Sequence, residues 1–244
     1  MTKEIVPTIL VSNEENWLGY CLESIRGFFS RIVVYDIGST DRTREIIQWY
    51  IDTNPKCEFY VKYFPMIDPK VQGTFRNSMI AETLADYYLI LDGDEIYQES
   101  SLLDIIRAPE AFALFPDRLY GVVRRVEIDF DIKYAWGVDS WVPHHRLYHR
   151  RAIWTGSHPG EVPYFPQEER TEMRFDNITC WHFHNTERSS KDAEVPKRLE
   201  RRKRPTYRPG EQKQVSIFRE LPLLRKPIAN FPVNPELKKL QDKL

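Results

Sequence analysis

Leu89-Ile90-Leu91-Asp92-Gly93-Asp94-Glu95 is an apolar run that stops at three carboxylates grouped around one glycine. Upstream, Ile32-Val33-Val34-Tyr35-Asp36-Ile37-Gly38-Ser39-Thr40-Asp41-Arg42-Thr43 has the same form, a buried-type strand running into an acidic, glycine-bearing turn. Open α/β sheets build ligand sites beyond the carboxyl ends of their strands, and both signatures end there. Carboxylates this close together repel one another unless a cation lies between them, and hard oxygen ligands suit Mg²⁺ or Mn²⁺.

Working outward, Ile5–Val11 reads as a first strand. Asn13 follows as a candidate helix cap, with Glu14 and Glu15 in the first turn, where acidic side chains oppose the positive helix end. Leu18, Leu22, Ile25 and Phe29 recur at helical spacing. Arg31–Tyr35 is a second strand, and Thr40 or Asp41 caps a helix striped by Ile46, Ile47 and Tyr50. Glu58–Tyr63, Thr74–Ala85 and Asp86–Leu91 read as strand, helix and strand. Alternation of this kind implies a mostly parallel sheet covered by helices on both faces. Beyond residue 95, Gln98–Arg107 reads as a short helix, Leu119–Phe130 as antiparallel strands and His144–His149 as another strand.

The 244-residue chain has ample length for a core, and its 41% hydrophobic and 29% charged residues are ordinary for a soluble globular protein. Cys21, Cys57 and Cys180 are few and far apart, which fits a reducing compartment and excludes a cysteine-based zinc site. The opening residues have no apolar stretch of signal-peptide length, and no run is long enough to span a bilayer, so a cytoplasmic location is expected. The net charge of −1 is unevenly spread: residues 185–244 carry 16 Lys/Arg against 8 Asp/Glu. Prolines at 196, 205, 209, 222, 227, 232 and 235 punctuate this basic stretch. The expected organisation is one α/β domain over 1–185, whose first half runs to about residue 97 and whose second half starts at about 98. A basic helical extension over 186–244 follows.

Asp92 and Asp94, one residue apart just past a strand, can grip one divalent ion or divide between an ion and a sugar hydroxyl, and Gly93 permits close backbone approach. Asp36 at its strand tip can accept a hydrogen bond from a base imide or a ribose hydroxyl. In Gly73-Thr74-Phe75-Arg76-Asn77, Arg76 can point over the sheet edge toward a base or phosphates.

Taken together, Ser12-Asn13-Glu14-Glu15, Asp36 to Thr43, Arg76-Asn77 and Leu91-Asp92-Gly93-Asp94-Glu95 resemble the ordered elements of family-2 glycosyltransferases with the GT-A fold, over roughly the first 100 residues. The resemblance implies a Rossmann-like mixed sheet, a nucleotide-sugar donor, a divalent metal (Mn²⁺ or Mg²⁺) and inversion at the anomeric carbon. It assigns Asn13, Glu15, Asp36, Arg76, Asp92 and Gly93 to the nucleotide sugar, and Asp92 and Asp94 to the metal. Ser12 and Ile37 depart from the family's tyrosine and second aspartate, so uridine, guanosine and thymidine donors all stay open.

In the second half, Trp154-Thr155-Gly156-Ser157-His158-Pro159-Gly160-Glu161 resembles a family stretch ending in His-Glu, with Pro159-Gly160 interposed. Inverting transfer needs a carboxylate to take the acceptor's proton; Glu161 is the candidate, with Asp139 and Glu95 as competitors. Alternation along a strand turns His182 and His184 to opposite faces, so one of them reaches the metal, and the resemblance favours His184. Of Trp136, Trp141, Trp154 and Trp181, one or two are expected to touch an acceptor. Lys197–Arg204 reads as a solvated helix face or as an attraction for a phosphorylated, lipid-linked acceptor at a membrane surface; nucleic acid is not an expected partner. Two rivals remain: a nucleotidyltransferase, disfavoured by an acidic first loop, and a non-catalytic sugar- or partner-binding module.

Overall fold

A computed structural model describes residues 4–65, 71–139, 141–155, 162–164 (backbone only), 172–194, 198 and 213–244. Its centre is a ten-stranded mixed sheet. Strands β1 (Ile5–Val11), β2 (Arg31–Ile37), β3 (Glu58–Phe64) and β4 (Tyr87–Asp92) are parallel in the order β3-β2-β1-β4. They alternate with helices α1 (Leu18–Ile25), α2 (Thr43–Thr53) and α3 (Gln72–Thr83). β1 is buried along its whole length, as a strand covered on both faces must be, and this is why it reads as a nearly unbroken apolar run. Pro7 lacks a backbone donor inside this central strand; beside it the Thr8 hydroxyl donates to the Leu89 carbonyl at 3.3 Å.

The antiparallel half is built on β6 (Tyr120–Ile128), which is a single strand. It pairs antiparallel with β7 (Tyr134–Trp136) and β8 (Pro143–His149), and parallel with the long β11 (Glu172–His182). β8 also runs antiparallel to β4, with Leu89 opposite Leu147, and so joins the two halves of the sheet. The short β5 (Glu95–Tyr97) pairs with the end of β11, so His182 lies between Glu95 and Glu127 in the sheet. A separate hairpin joins β9 (Ile153–Thr155) and β10 (Val162–Tyr164).

Three local readings are corrected. The helix after β5, α4, extends over Glu99–Leu114 rather than ending at Arg107, and carries Pro109 internally. Its buried face continues through Ile105, Ala108, Pro109 and Phe112, so packing outweighs the lost backbone bond. Asn13 does not cap α1. It takes φ 53°, a left-handed conformation that asparagine tolerates, and its Oδ1 accepts from the N–H groups of Thr40 (2.8 Å) and Asp41 (3.2 Å). Neither Thr40 nor Asp41 caps α2, whose N-cap is Arg42 without a side-chain cap bond; Asp41 Oδ1 still accepts from the Thr43 N–H at 2.9 Å.

The described part of the C-terminal stretch packs onto the same body. β12 (Lys213–Gln214) adds to the sheet beside β7. Ile217, Leu221, Leu224 and Leu237 then bury against Trp17, Tyr20, Ile96, Val126, Trp181 and Phe183. Trp17 stacks on Phe183 with ring centroids 4.0 Å apart, and Gln241 Nε2 donates to both the Tyr20 hydroxyl (3.1 Å) and the Leu224 carbonyl (2.9 Å). Trp154 and Trp181 are core residues, 8% and 4% exposed, so their indoles serve packing. Among the described residues no helix is long and apolar enough to cross a membrane.

Candidate active site

The chain reverses its direction of sheet-building at β1, which has β2 on one side and β4 on the other. The carboxyl ends of those two strands place Asp36 and Asp92 on either side of the crevice that opens at such a switch point. Asp36 is fully buried. Its Oδ1 accepts from the N–H groups of Gly38 (3.1 Å) and Ser39 (3.0 Å), and from Arg44 Nε (3.1 Å) and Nη2 (2.9 Å). Gly38 makes this turn with φ 94°, a conformation that favours glycine. Asp36 Oδ2 is buried and accepts no hydrogen bond.

Asp92 and Asp94 point into different surroundings. Asp92 accepts from Arg146 Nη2 at 2.7 Å and from Arg76 Nη2 at 3.4 Å. Glu95 is fully buried and is held by the same Arg146, whose Nε donates at 3.0 Å, and by His144 Nε2 at 2.6 Å. The cation expected between the clustered carboxylates is therefore, for Asp92 and Glu95, a guanidinium. Burial would raise the Asp92 carboxyl, but the charges of Arg146 and Arg76 together hold it below the usual carboxylate range. Burial and the adjacent Arg146 charge keep the His144 ring neutral, well below its ordinary pKa, so it serves Glu95 as an N–H donor.

Asp94 lies against His182, His184 and Arg188, and His182 also comes within 4.8 Å of Asp92 and Glu95. One ligand atom from each of Asp94, His182 and His184 lies within 4.8 Å of the others. Arg188 Nε stands 3.1 Å from Asp94 Oδ2, and His182 Nε2 stands 3.6 Å from Oδ1. Neither Asp94 oxygen makes a hydrogen bond, although the residue is fully buried. Burial pushes the Asp94 carboxyl up, but Arg188 and His182 hold it well below its ordinary range. The His184 imidazole, desolvated and next to His182, is pushed down to about 4 and is neutral at pH 7, the form in which imidazole binds metals. The opposite-faces expectation for His182 and His184 fails because β11 ends at His182. His184 lies beyond the strand, where period-two alternation no longer applies, and its ring comes within 5.1 Å of the His182 ring.

Arg76 is 8% exposed, with Nε and Nη1 buried and unbonded, and its guanidinium lies 5.4 Å from the Trp154 ring centroid. Glu15 is 5% exposed and accepts from the Arg42 N–H (3.2 Å) and from the Ser190 N–H (2.8 Å), which ties the α2 entrance to the segment after β11. Gly93 is required by packing: a Cβ there would come 2.9 Å from Glu14 Cγ and 3.0 Å from Val11 Cγ1. Gly93→Ala should destabilise the protein by about 1–3 kcal/mol, the usual cost of overpacking, read as a lower urea midpoint at unchanged m-value. Asp139 is exposed and ion-paired with Lys213. Glu161 lies outside the described residues.

Sequence reading missed the cations that organise this site. Arg188 pairs with Glu14 as well as Asp94, and Arg198, from the stretch read as a solvated basic face, is 6% exposed. Arg198 donates to the Asn13 carbonyl (2.6 Å), the Ser12 carbonyl (2.9 Å) and Glu14 Oε1 (2.9 Å). His144 and Arg146 occupy alternate positions on one buried strand face, and that pattern was the available signal.

The glycosyl transferase family 2 model matches residues 8–186, spanning both acidic strand ends, Arg146 and both histidines. The chain belongs to glycosyl transferase family 2. No curated protein matches the sequence. Among solved structures, this family-2 chain is similar to the mannosyltransferase PcManGT from Pyrobaculum calidifontis in complex with GDP-Man and Mn²⁺, with a TM-score of 0.55 and 10% identity. That match covers 80% of this chain and 60% of the other. It is also similar to S. aureus TarS 1–349 in complex with UDP-GlcNAc, with a TM-score of 0.52 and 13% identity, covering 77% and 59% respectively. A further S. aureus TarS structure gives a TM-score of 0.44 at 17% identity, over 60% of this chain and 28% of that one. The chain thus spans less than two thirds of the length of these structures. The shared architecture is the GT-A fold, and the mixed sheet flanked by helices agrees with it.

Proposed function

We propose that this protein transfers a sugar from a nucleotide-diphosphate sugar to a hydroxyl of a glycan, polysaccharide or lipid-linked acceptor, inverting the anomeric centre and using Mn²⁺ or Mg²⁺. One observation carries the reading. Asp94 is a fully buried carboxylate whose two oxygens accept no hydrogen bond, and it shares a cluster of potential ligand atoms with His182 and the neutral imidazole of His184. Buried carboxylates are costly unless charge compensates them; Arg188 supplies such charge at Oδ2, and the carboxylate with imidazole is a fitting donor set for a divalent ion. Bound there, a divalent ion would neutralise charge developing on the leaving diphosphate.

In this reading Asp36 Oδ2 accepts from the base or ribose, while the unbonded N–H groups of Arg76 donate to the nucleotide. Asp92, Gly93, Asn13 and Glu15 shape the wall of the same crevice. Glu161 is the proposed base; Asp139, exposed and paired with Lys213, is the weaker candidate. The GDP-Man and UDP-GlcNAc complexes of the structural neighbours support a nucleotide-sugar donor without choosing its base. The free thiols of Cys21, Cys57 and Cys180 support a reducing, cytoplasmic location, and the positive excess over 185–244 supports an anionic, lipid-linked acceptor at a membrane surface.

Incubation with a panel of nucleotide sugars, in Mn²⁺, in Mg²⁺ and in EDTA, should release nucleotide diphosphate from one donor and lose that release in EDTA. Silence across the panel, together with no donor binding by calorimetry, sinks the transferase reading. Arg188 favours a second version: a guanidinium 3.1 Å from Asp94 is itself able to offset diphosphate charge. EDTA-insensitive turnover identifies that version.

A further inference from the structure

Glu127 has no part in the reading above, yet it is 6% exposed and lies directly opposite His182 in the β6–β11 pairing. Side chains paired this way share one face of the sheet. Glu127 Oε1 lies 3.1 Å from His182 Nδ1, and the other ring nitrogen, Nε2, lies 3.6 Å from Asp94 Oδ1. The first distance is a hydrogen bond and the second is too long for one. Two atoms that each lie about 2 Å from a shared ion stand roughly 3–4 Å apart, so the second gap has the width of a cation bridge. Arg188 faces the other oxygen, Oδ2, and has Glu14 as its second partner, which leaves Oδ1 for that bridge. His184 supplies the third ligand atom of the cluster.

We propose that Glu127 is a positioning residue: by accepting the Nδ1–H of His182 it turns Nε2 toward Asp94, so that Asp94, His182 and His184 form a two-imidazole, one-carboxylate site that takes Mn²⁺ in preference to Mg²⁺. Metal-bound histidines ordinarily donate their second N–H to a carboxylate, which fixes tautomer and ring orientation. Two imidazoles shift preference away from Mg²⁺, which favours oxygen ligands and keeps its waters. The inference rests on the metal-dependent transferase reading, but reaches the cation through binding rather than turnover.

The experiment titrates the donor-free protein with Mn²⁺ alone, following the free ion by electron paramagnetic resonance and the bound ion by its nitrogen modulation. Glu127→Ala should weaken Mn²⁺ binding about 10–100-fold, the range typical for losing such an outer partner. Glu127→Gln should stay within about threefold of the native protein, because its amide oxygen accepts the same N–H. In a His182→Ala background, which itself loses one nitrogen signal, Glu127→Ala should have no further effect, since the two act as one unit. Mg²⁺ should compete only at much higher concentration. Unchanged Mn²⁺ affinity in Glu127→Ala, full additivity with His182→Ala, or no binding by the native protein each overturns the inference. Donor turnover with Mn²⁺ alongside such a result leaves the transferase reading standing. Mn²⁺ binding as described with no turnover of any donor supports the inference and removes the transferase reading instead.

Discussion

Asp94→Asn should lower kcat/KM for nucleotide diphosphate release by about 10²–10³-fold, because it removes charge stabilisation of several kcal/mol at 1.36 kcal/mol per tenfold in rate. Asparagine keeps the volume, so the loss reports the charge. A second effect follows from the surroundings. The His182 imidazole, which burial would lower, is held well above its ordinary pKa by Glu127 and Asp94 in the metal-free protein. Arg188 likewise stands against Asp94 and Glu14. Removing one partner of a buried ion pair costs about 3–5 kcal/mol. At about 2–4 °C per kcal/mol for a chain of this size, the metal-free variant should melt roughly 6–20 °C lower. Kinetics taken well below that melting temperature separate the two effects. Turnover equal to native under those conditions removes Asp94 from the cation site.

Arg146→Met tests the other half of the cluster and should produce a comparable loss of stability with a different signature. Arg146 is 8% exposed and bridges Asp92 and Glu95, and Glu95 has no contact with solvent. Methionine fills much of the space but removes the charge paired with a buried carboxylate, which keeps only hydrogen bonds from His144 and the Asp92 N–H, again at a cost of about 3–5 kcal/mol. Glu95→Gln in the same chain should recover a large part of that loss, since the double variant no longer buries an uncompensated charge, and the coupling measured this way should exceed about 1 kcal/mol. Arg146→Lys should recover little, because a single ammonium cannot hold two carboxylates in the forked geometry. Thermal melts of the four proteins decide the matter. Additive losses mean that Arg146 contributes packing rather than charge.

The two predictions divide one acidic signature into two electrostatic circuits, and that division was not legible in the chain. Asp92-Gly93-Asp94-Glu95 looks in sequence like a single metal-binding group. In the fold, Asp92 at the end of β4 and Glu95 at the start of β5 pair with Arg146, while Asp94 between them pairs with Arg188 and lies beside His182 and His184. The reading that a cation must separate these carboxylates was sound electrostatics. It did not identify the cation, which is a side chain for one pair and, in the proposed reading, a metal for Asp94.

Legibility followed the range of the interaction. β1, β2, β3, β4 and α1 to α3 were readable because their signals are local: apolar runs of strand length, helical spacing and turn residues within a few positions. The same holds for the placement of Asp36 and Asp92 at strand ends. The extent of α4 past Pro109 was not readable, since tertiary burial of Phe112 outweighs a local helix-breaking signal. Arg198 shows the same limit. In a run of basic residues it resembles a solvated charge, yet it lies against Ser12, Asn13 and Glu14.

By itself, then, the chain determined an α/β sheet with acidic strand ends and the family to which its ordered motifs belong, because short-range periodicity and motif spacing are properties of consecutive residues. Only the tertiary structure decided which positive group faces which carboxylate. Arg146 follows Asp92 by 54 residues, and Arg188 lies 174 residues from Glu14. Those partners meet because β8 docks antiparallel on β4 and because β11 carries His182 past β5 and β6. Coulombic and hydrogen-bond energies depend on distance through space, which residues so far apart in sequence do not encode.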